Sequence, residues 1–375
     1  GDIIIGDAGG VAIRLAKGTD GQVLKMASGV PAWGTDNTGG AGSGSTSREI
    51  INSFVLEWRR QDTANTAWQY LCDGITDALS DETGVDTATS ANESYAATTD
   101  DYHSTESTSA LYNVTGTAGG DALGDLGGNE QRLAQGFTPG SDVWIKSFGV
   151  AFVAGSGSPT GQVTCRIETD SAGKPSGTLA NANATVSFTP TVPATNTIIF
   201  PVYIPLTNGV LYHFVLTCAN QATNVYWGID ESTASEYAGG GQSKSLDGGA
   251  TWSAMSGSVD IKGTITGVTF SAMVLQSNGF TAKTQPDIIY FMSKVGSAAG
   301  TLILNTDLVA EVSRDGGTTW TAVTLVDRGS TSTNRELYYG TADISGQPAG
   351  ATLKWRLTTL ATKQPVIYGV GLFWE

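Results

Sequence analysis

The clearest signal in the chain is the alternation of apolar and polar positions between residues 130 and 265. Phe148, Val150 and Phe152 share one face of a strand, as do Val163, Cys165 and Ile167, then Ile198, Phe200, Val202 and Ile204, and then Tyr212, Phe214 and Leu216. Successive side chains of a strand point to opposite faces of a sheet, so a period of two marks half-buried strands. Gly157-Ser158-Pro159, Gly173-Lys174-Pro175 and Asn208-Gly209 punctuate these runs as turns. Strands at this spacing predict a sandwich or jelly roll over 129–265. A second β-sandwich unit is expected over 266–375. There Leu353, Trp355 and Leu357, and then Val366, Tyr368, Val370, Leu372 and Trp374, place bulky side chains on one face. The predicted fold class is all-β.

Upstream the pattern breaks into pieces. Ile3 to Ile5, Val11 to Leu15 and Val23 to Met26 are short apolar runs between Gly-Asp and Asp-Gly turns. Two-stranded ribbons of that size are marginal in isolation, so 1–34 is expected to fold against copies of itself or against a larger particle. Residues 35–47, TDNTGGAGSGSTS, have the composition of a flexible linker. An irregular connector with short strands is expected over 48–128. Within it, Ile51, Phe54, Val55 and Trp58 fit helical spacing, while Phe54, Leu56 and Trp58 fit strand alternation; Ile50 to Leu71 is read as strand. The carboxylates Asp73, Asp77, Asp81, Glu82 and Asp86 lack the spacing and the glycine of an EF-hand loop. They read as solvated turns, with a calcium site as the alternative.

Composition narrows the function. A chain of 375 residues has room for two or three domains, and 49 glycines with only 15% charged residues suit short strands joined by tight turns. A formal net charge of −15 repels a nucleic-acid backbone. Cys72, Cys165 and Cys218 have no paired spacing for zinc, so they read as small buried residues, although a Cys165–Cys218 bridge stays open. No apolar run approaches the ~20 residues that cross a bilayer, so a soluble chain without membrane insertion is expected. Neither a metal nor a cofactor is expected.

The opening GD-x-x-x-GD, followed by Arg14-Leu15, Gly18-Thr19-Asp20-Gly21-Gln22-Val23-Leu24 and Ser28-Gly29-Val30-Pro31-Ala32-Trp33-Gly34, resembles the N-terminal segment of many phage tail-fibre proteins. That resemblance implies virion attachment through 1–34. The acidic run from Asp73 to Asp101 resembles a connector of phage fibre and minor structural proteins. Gln135-Gly-Phe137, Ser158-Pro159-Thr160-Gly161 and Gly173-Lys174-Pro175-Ser176-Gly177 resemble lectin-like jelly rolls of secreted bacterial and phage proteins. Asn305-Thr-Asp307-Leu308, Val312-Ser-Arg-Asp-Gly-Gly317 and Asp343-Ile-Ser-Gly-Gln-Pro348 are similar to a C-terminal domain of phage tail proteins. Together these imply a phage virion structural protein, a tail fibre or spike that attaches to a host-surface glycan or protein and assembles as a homotrimer. The alternative is a capsid or tail decoration protein, a head fibre with a purely structural role; a polysaccharide depolymerase ranks third.

One repeat bears on enzyme activity. Ser245-Leu-Asp247-Gly-Gly249-Ala-Thr251-Trp252 and Ser313-Arg-Asp315-Gly-Gly317-Thr-Thr319-Trp320 both match the Asp-box of sialidases and many other β proteins. Such a box is expected to act as a hairpin staple: its Asp accepts backbone N–H bonds, its Gly supplies positive φ and its Trp packs on the sheet. Two boxes do not make a propeller, and no Arg series for a sialidase is evident. His103 and His213 have no nucleophile beside them in any recognisable motif, so no catalytic residue is assigned and the chain is not read as an enzyme. Aromatic faces stack on sugars while carboxylates bind hydroxyls, which makes Tyr226, Trp227, Asp230, Tyr237, Tyr338 and Tyr339 the candidate glycan-binding residues. Core burial is the competing reading for each of them.

Overall fold

The computed structural model describes residues 2–6, 11–18, 22–27, 30–35, 69–71, 73–117, 119–218, 221–255 and 259–375. Every regular element among them is a β-strand, so the fold is all-β. Of the linker expected at 35–47, Thr35 ends a strand, while 36–47, Cys72 and the ambiguous segment up to residue 68 lie outside the described residues.

Two small ribbons stand at the N-terminus. Ile3–Gly6 pairs antiparallel with Ala12–Leu15, and Gln22–Ala27 pairs with Val30–Thr35. Asp2 closes the first ribbon by accepting from the Arg14 guanidinium and from the Lys17 amide. The Trp33 indole N–H donates to the Ala16 carbonyl at 2.6 Å and ties the ribbons together. Such small pieces bury little: Ile4 is 73% exposed, and Val11, Ile13 and Leu24 are exposed with it.

The jelly-roll-like unit runs from Glu106–Val114 to Gly263–Phe270. Its longest strand, Val143–Ser156, pairs with Ala194–Leu206 on one side and with Gly263–Phe270 and Tyr226–Glu231 on the other. The facing sheet carries Val163–Ser171, Tyr212–Thr217, Asn129–Phe137 and Gln242–Ser245 in that order. Apart from Val202, which is exposed where the alternation of its strand breaks, the period-two residues of the sequence meet between these sheets, where the rings of Phe148 and Phe214 lie 5.5 Å apart and Phe200 packs on Phe148. Cys165 and Cys218 are both buried free thiols, so no bridge joins them.

The C-terminal unit is a two-sheet sandwich, but it does not begin at residue 266. One sheet orders Val326–Ser332, Arg335–Asp343, Ile288–Ala299, Gln364–Trp374 and then Gly74–Asp77 and Gln69–Leu71; the other orders Val274–Gln276, Thr352–Thr359, Leu308–Ser313 and Thr321–Val323. Residues expected to form a connector are therefore integral to this sandwich. Gly74–Asp77 and Asp101–Ser104 both pair with the last strand, and Ile75, Leu79, Val85 and Tyr102 enter its core beside Trp355. The reason is physical: these strands are too short to show periodicity, but the backbone groups of the final strand need partners, and their apolar residues fill the space beneath it.

The jelly-roll unit, 106–270, is thus inserted into a sandwich built from 69–71, 73–105 and 271–375. Entry and exit lie side by side. Ser271 N–H donates to the Thr105 carbonyl at 3.0 Å, Thr105 N–H donates to the Asn92 carbonyl at 2.8 Å, and Ala91 and Val274 exchange both backbone bonds. A small apolar cluster of Trp144, Tyr203, Val268, Phe270 and Ala299 covers this neck.

Candidate functional site

The two Asp-boxes have the same geometry. Asp247 accepts the Thr251 N–H at 2.8 Å and its hydroxyl at 2.6 Å, while Ser245 Oγ accepts Gly249 N–H at 2.8 Å. Asp315 accepts the N–H groups of Thr318 and Thr319 at 3.0 and 2.9 Å, and Ser313 Oγ accepts Gly317 N–H at 2.9 Å. Gly249 and Gly317 hold φ of +91° and +93°, which a side chain would resist. Each box closes a hairpin, pairing Lys244 with Ser253 and Val312 with Thr321. Trp252 and Trp320 are only half-buried, and the Arg356 guanidinium lies over the Trp320 ring at 4.3 Å. Hydrogen bonds from the Thr251 side chain and backbone hold the Asp247 carboxyl down at about 2. Burial raises the Asp315 carboxyl, but bonds from Thr319 and Ser313 prevail and hold it at about 2 as well. These carboxylates are engaged in turn bonds.

The acidic run near residue 80 is also spread over separate tasks. Asp77 is buried and caps Leu79 N–H at 2.8 Å, Asp81 binds the backbone and hydroxyl of Thr83, and Asp86 meets Lys354 at 3.0 Å. Solvated turns therefore describe Asp81 but not Asp77, which the short strand carries into the sandwich. Among the described residues no three His, Cys, Asp or Glu side chains converge as metal ligands. His213 is buried, with Nε2 on Asp170 at 2.8 Å; burial lowers its pKa and prevails over the Asp170 charge.

The candidate glycan-binding residues do not form one patch. Trp227 lies in the jelly-roll core, edge-on to Phe152, while Tyr226, its neighbour on the strand, is half-buried on the opposite face. Asp230 is buried and paired with Lys262 at 3.2 Å. The Tyr237 hydroxyl accepts Thr138 N–H at 3.0 Å, and its ring packs edge-on to Tyr112. Tyr339 is buried in a small cluster with Met292 and Leu337, with the Arg328 guanidinium 5.3 Å from its ring centre. For Trp227, Asp230, Tyr237 and Tyr339, the aromatic and carboxylate groups are consumed by packing and pairing, and Tyr226 stands apart from them.

Tyr338 differs. It lines a cavity of about 410 Å³ with Asp327, Asn334, Glu336, Ser297 and Thr301. Strand alternation puts Glu336 and Tyr338 on one face of a hairpin whose turn carries Asn334, and register sets Asp327 directly opposite Tyr338 and Ser330 opposite Glu336. The floor is apolar, formed where Val295 and the Tyr338 ring belong to the sandwich core and Leu302 packs on it. No family model matches the chain, and no curated protein matches it.

The cavity's polar residues went unremarked in the sequence, apart from Tyr338. The available signal was the spacing Asn334, Glu336, Tyr338, a period of two within the polar stretch from Asp327 to Glu336. Burial raises the Tyr338 pKa, and the charges of Asp327 and Glu336 raise it further, so its hydroxyl stays protonated and can donate. The Asp327 carboxylate accepts Gly329 N–H at 2.7 Å and the Glu336 carboxylate accepts the Ser330 hydroxyl at 2.6 Å, each through one oxygen. An apolar floor rimmed by donors and acceptors is an arrangement for holding a polyhydroxylic ligand.

Proposed function

We propose that this chain is a structural component of a phage virion, a tail fibre or spike that attaches to the host surface and works as a homotrimer. The observation that carries the reading is the contrast between the N-terminal ribbons, with Ile4, Val11, Ile13 and Leu24 exposed, and the large β body that follows. Ribbons of this size gain a stable apolar contact only against another surface, as an attachment or assembly segment does. The phage-like motifs at both ends of the chain support the same reading. Repetition of one weak site along a trimer would supply avidity, so no single contact need be strong.

The test is to locate the protein on the particle with an antibody raised against the purified chain, imaged at low resolution. Label on the tail supports the reading. Label on the capsid lattice replaces it with the decoration reading, and absence from purified virions overturns both.

A further inference from the structure

The geometry points to the cavity around Tyr338 as a saccharide-binding site selective for neutral or amino sugars over acidic ones. The inference deepens the attachment reading by assigning the ligand class to one site. Its volume, about 410 Å³, falls in the ordinary range of small-molecule pockets, about 300–1,000 Å³. Tyr338 is only 7% exposed, yet among the described residues its hydroxyl has no hydrogen-bond partner. The ring is packed in the core while the hydroxyl opens to the cavity, so it can donate to a ligand that displaces water there.

The other groups define what that ligand is. Leu302, with the accessible part of the Tyr338 ring, offers an apolar surface for the C–H face of a pyranose ring. The Asn334 side chain has no bond to the protein and is exposed at the rim, so its amide can both donate to and accept from ring hydroxyls. Asp327 and Glu336 each keep one carboxylate oxygen outside the bonds described above. Two carboxylates at one mouth accept hydroxyls or an ammonium group and repel a sugar carboxylate. A sialic acid or uronic acid is therefore the wrong ligand for this cavity, although the Asp-boxes alone bring sialidases to mind.

Saturation-transfer NMR on the full chain tests this, with glucose, N-acetylglucosamine, glucosamine and glucuronate as probes at millimolar concentration. The first three should receive transfer, glucosamine most strongly and with the steepest fall as salt is added, while glucuronate should not. Tyr338→Phe, which keeps the core ring and removes only the hydroxyl, should weaken binding about tenfold, the loss of one good hydrogen bond. Asn334→Gly, which tolerates the φ of 57° at that position, should weaken it several-fold and serves if the Tyr338 variant misfolds. Transfer to none of the sugars, equal transfer to glucuronate, or unchanged binding in both variants overturns the inference. If sugars fail to bind while the chain still adsorbs to cells, the site assignment falls and the attachment reading stands. Sugar binding by a chain absent from virions has the opposite meaning.

Discussion

The two Asp-box hairpins share a turn and differ in what holds it. In the first, Leu246 follows the serine and is 52% exposed; in the second, Arg314 takes that place and is 3% exposed. Arg314 spends all five of its N–H donors: on the carbonyls of Pro286, Ser345, Gln347 and Pro348, and on the Asp287 carboxylate at 2.6 Å. Gln347 completes the clasp, accepting Arg314 N–H at 2.9 Å and donating to the Val312 carbonyl at 3.0 Å. The octapeptide thus encodes the turn locally, whereas its anchoring is tertiary. The sharpest way to break the comparison is Arg314→Met, which strands five acceptors and should cost about 3 kcal/mol or more. Leu246→Ala should stay within about 0.5 kcal/mol of the parent. Denaturant unfolding followed by tryptophan fluorescence reads both, and equal effects would mean that the clasp contributes nothing.

The same distinction between local and tertiary holds for the two units. The inserted jelly roll is contiguous, whereas the sandwich that hosts it recruits strands from before and after the insertion. Ile75→Ala should therefore destabilise the C-terminal sandwich by about 2–3 kcal/mol, the low end for a buried Ile because a short strand can settle inwards. The effect should appear in the unfolding step reported by Trp355 and Trp374 and leave that of Trp227 unmoved. A shift confined to the jelly-roll step would contradict the pairing of Gly74–Asp77 with Val370–Phe373.

These comparisons show where the sequence was legible. Long strands announced themselves: Phe148, Val150 and Phe152 lie in one core and Val370, Leu372 and Trp374 in the other, although a register shift beside Tyr368 turns Ile367 inwards in place of Val366 and Tyr368. Four-residue strands such as Gly74–Asp77 carry one or two apolar residues, too few for a pattern, and their partner is almost 300 positions away, so they read as connector. Candidate sugar residues suffered from a related ambiguity. An aromatic beside a turn has the same local sequence whether it plugs a core, as Trp227 does, or lines a cavity, as Tyr338 does. What separates the two is position at the end of a sheet, which register across the hairpin sets and no single strand reveals. The turns of the Asp-boxes were legible because the bonds of their Asp and Ser side chains stay within the octapeptide, while the clasp of Arg314 was not.

Acid should sharpen the likeness between the two boxes. Both carboxylates have a folded pKa of about 2 against an ordinary 3.8. A depressed folded pKa means that the unfolded chain binds the proton more readily, so each box's contribution is complete above about pH 4 and is lost as pH falls from there towards 2. Both groups are solvent-facing, so the effect is modest. Melting temperatures across that window should fall less steeply in Asp247→Asn and in Asp315→Asn than in the parent. A parent whose stability is flat from pH 4 to pH 2 would show that these turn bonds are not held in solution.

The smallest expected effect tests the glycines alone. Gly249 and Gly317 share a positive φ, but a Cβ on Gly249 would meet Arg132 Nη1 at 2.9 Å, the far end of a flexible side chain, while one on Gly317 would meet the Trp320 ring at 3.2 Å. The strain of positive φ is common to both and should cost about 1 kcal/mol in either alanine variant. Arg132 can swing away, but Trp320 lies under Arg356 and has less room, so Gly317→Ala should be the worse of the two by a few tenths of a kcal/mol. If Gly249→Ala proved the more damaging, the first hairpin would be the more firmly anchored, and the contrast between Leu246 and Arg314 would have to be read the other way round.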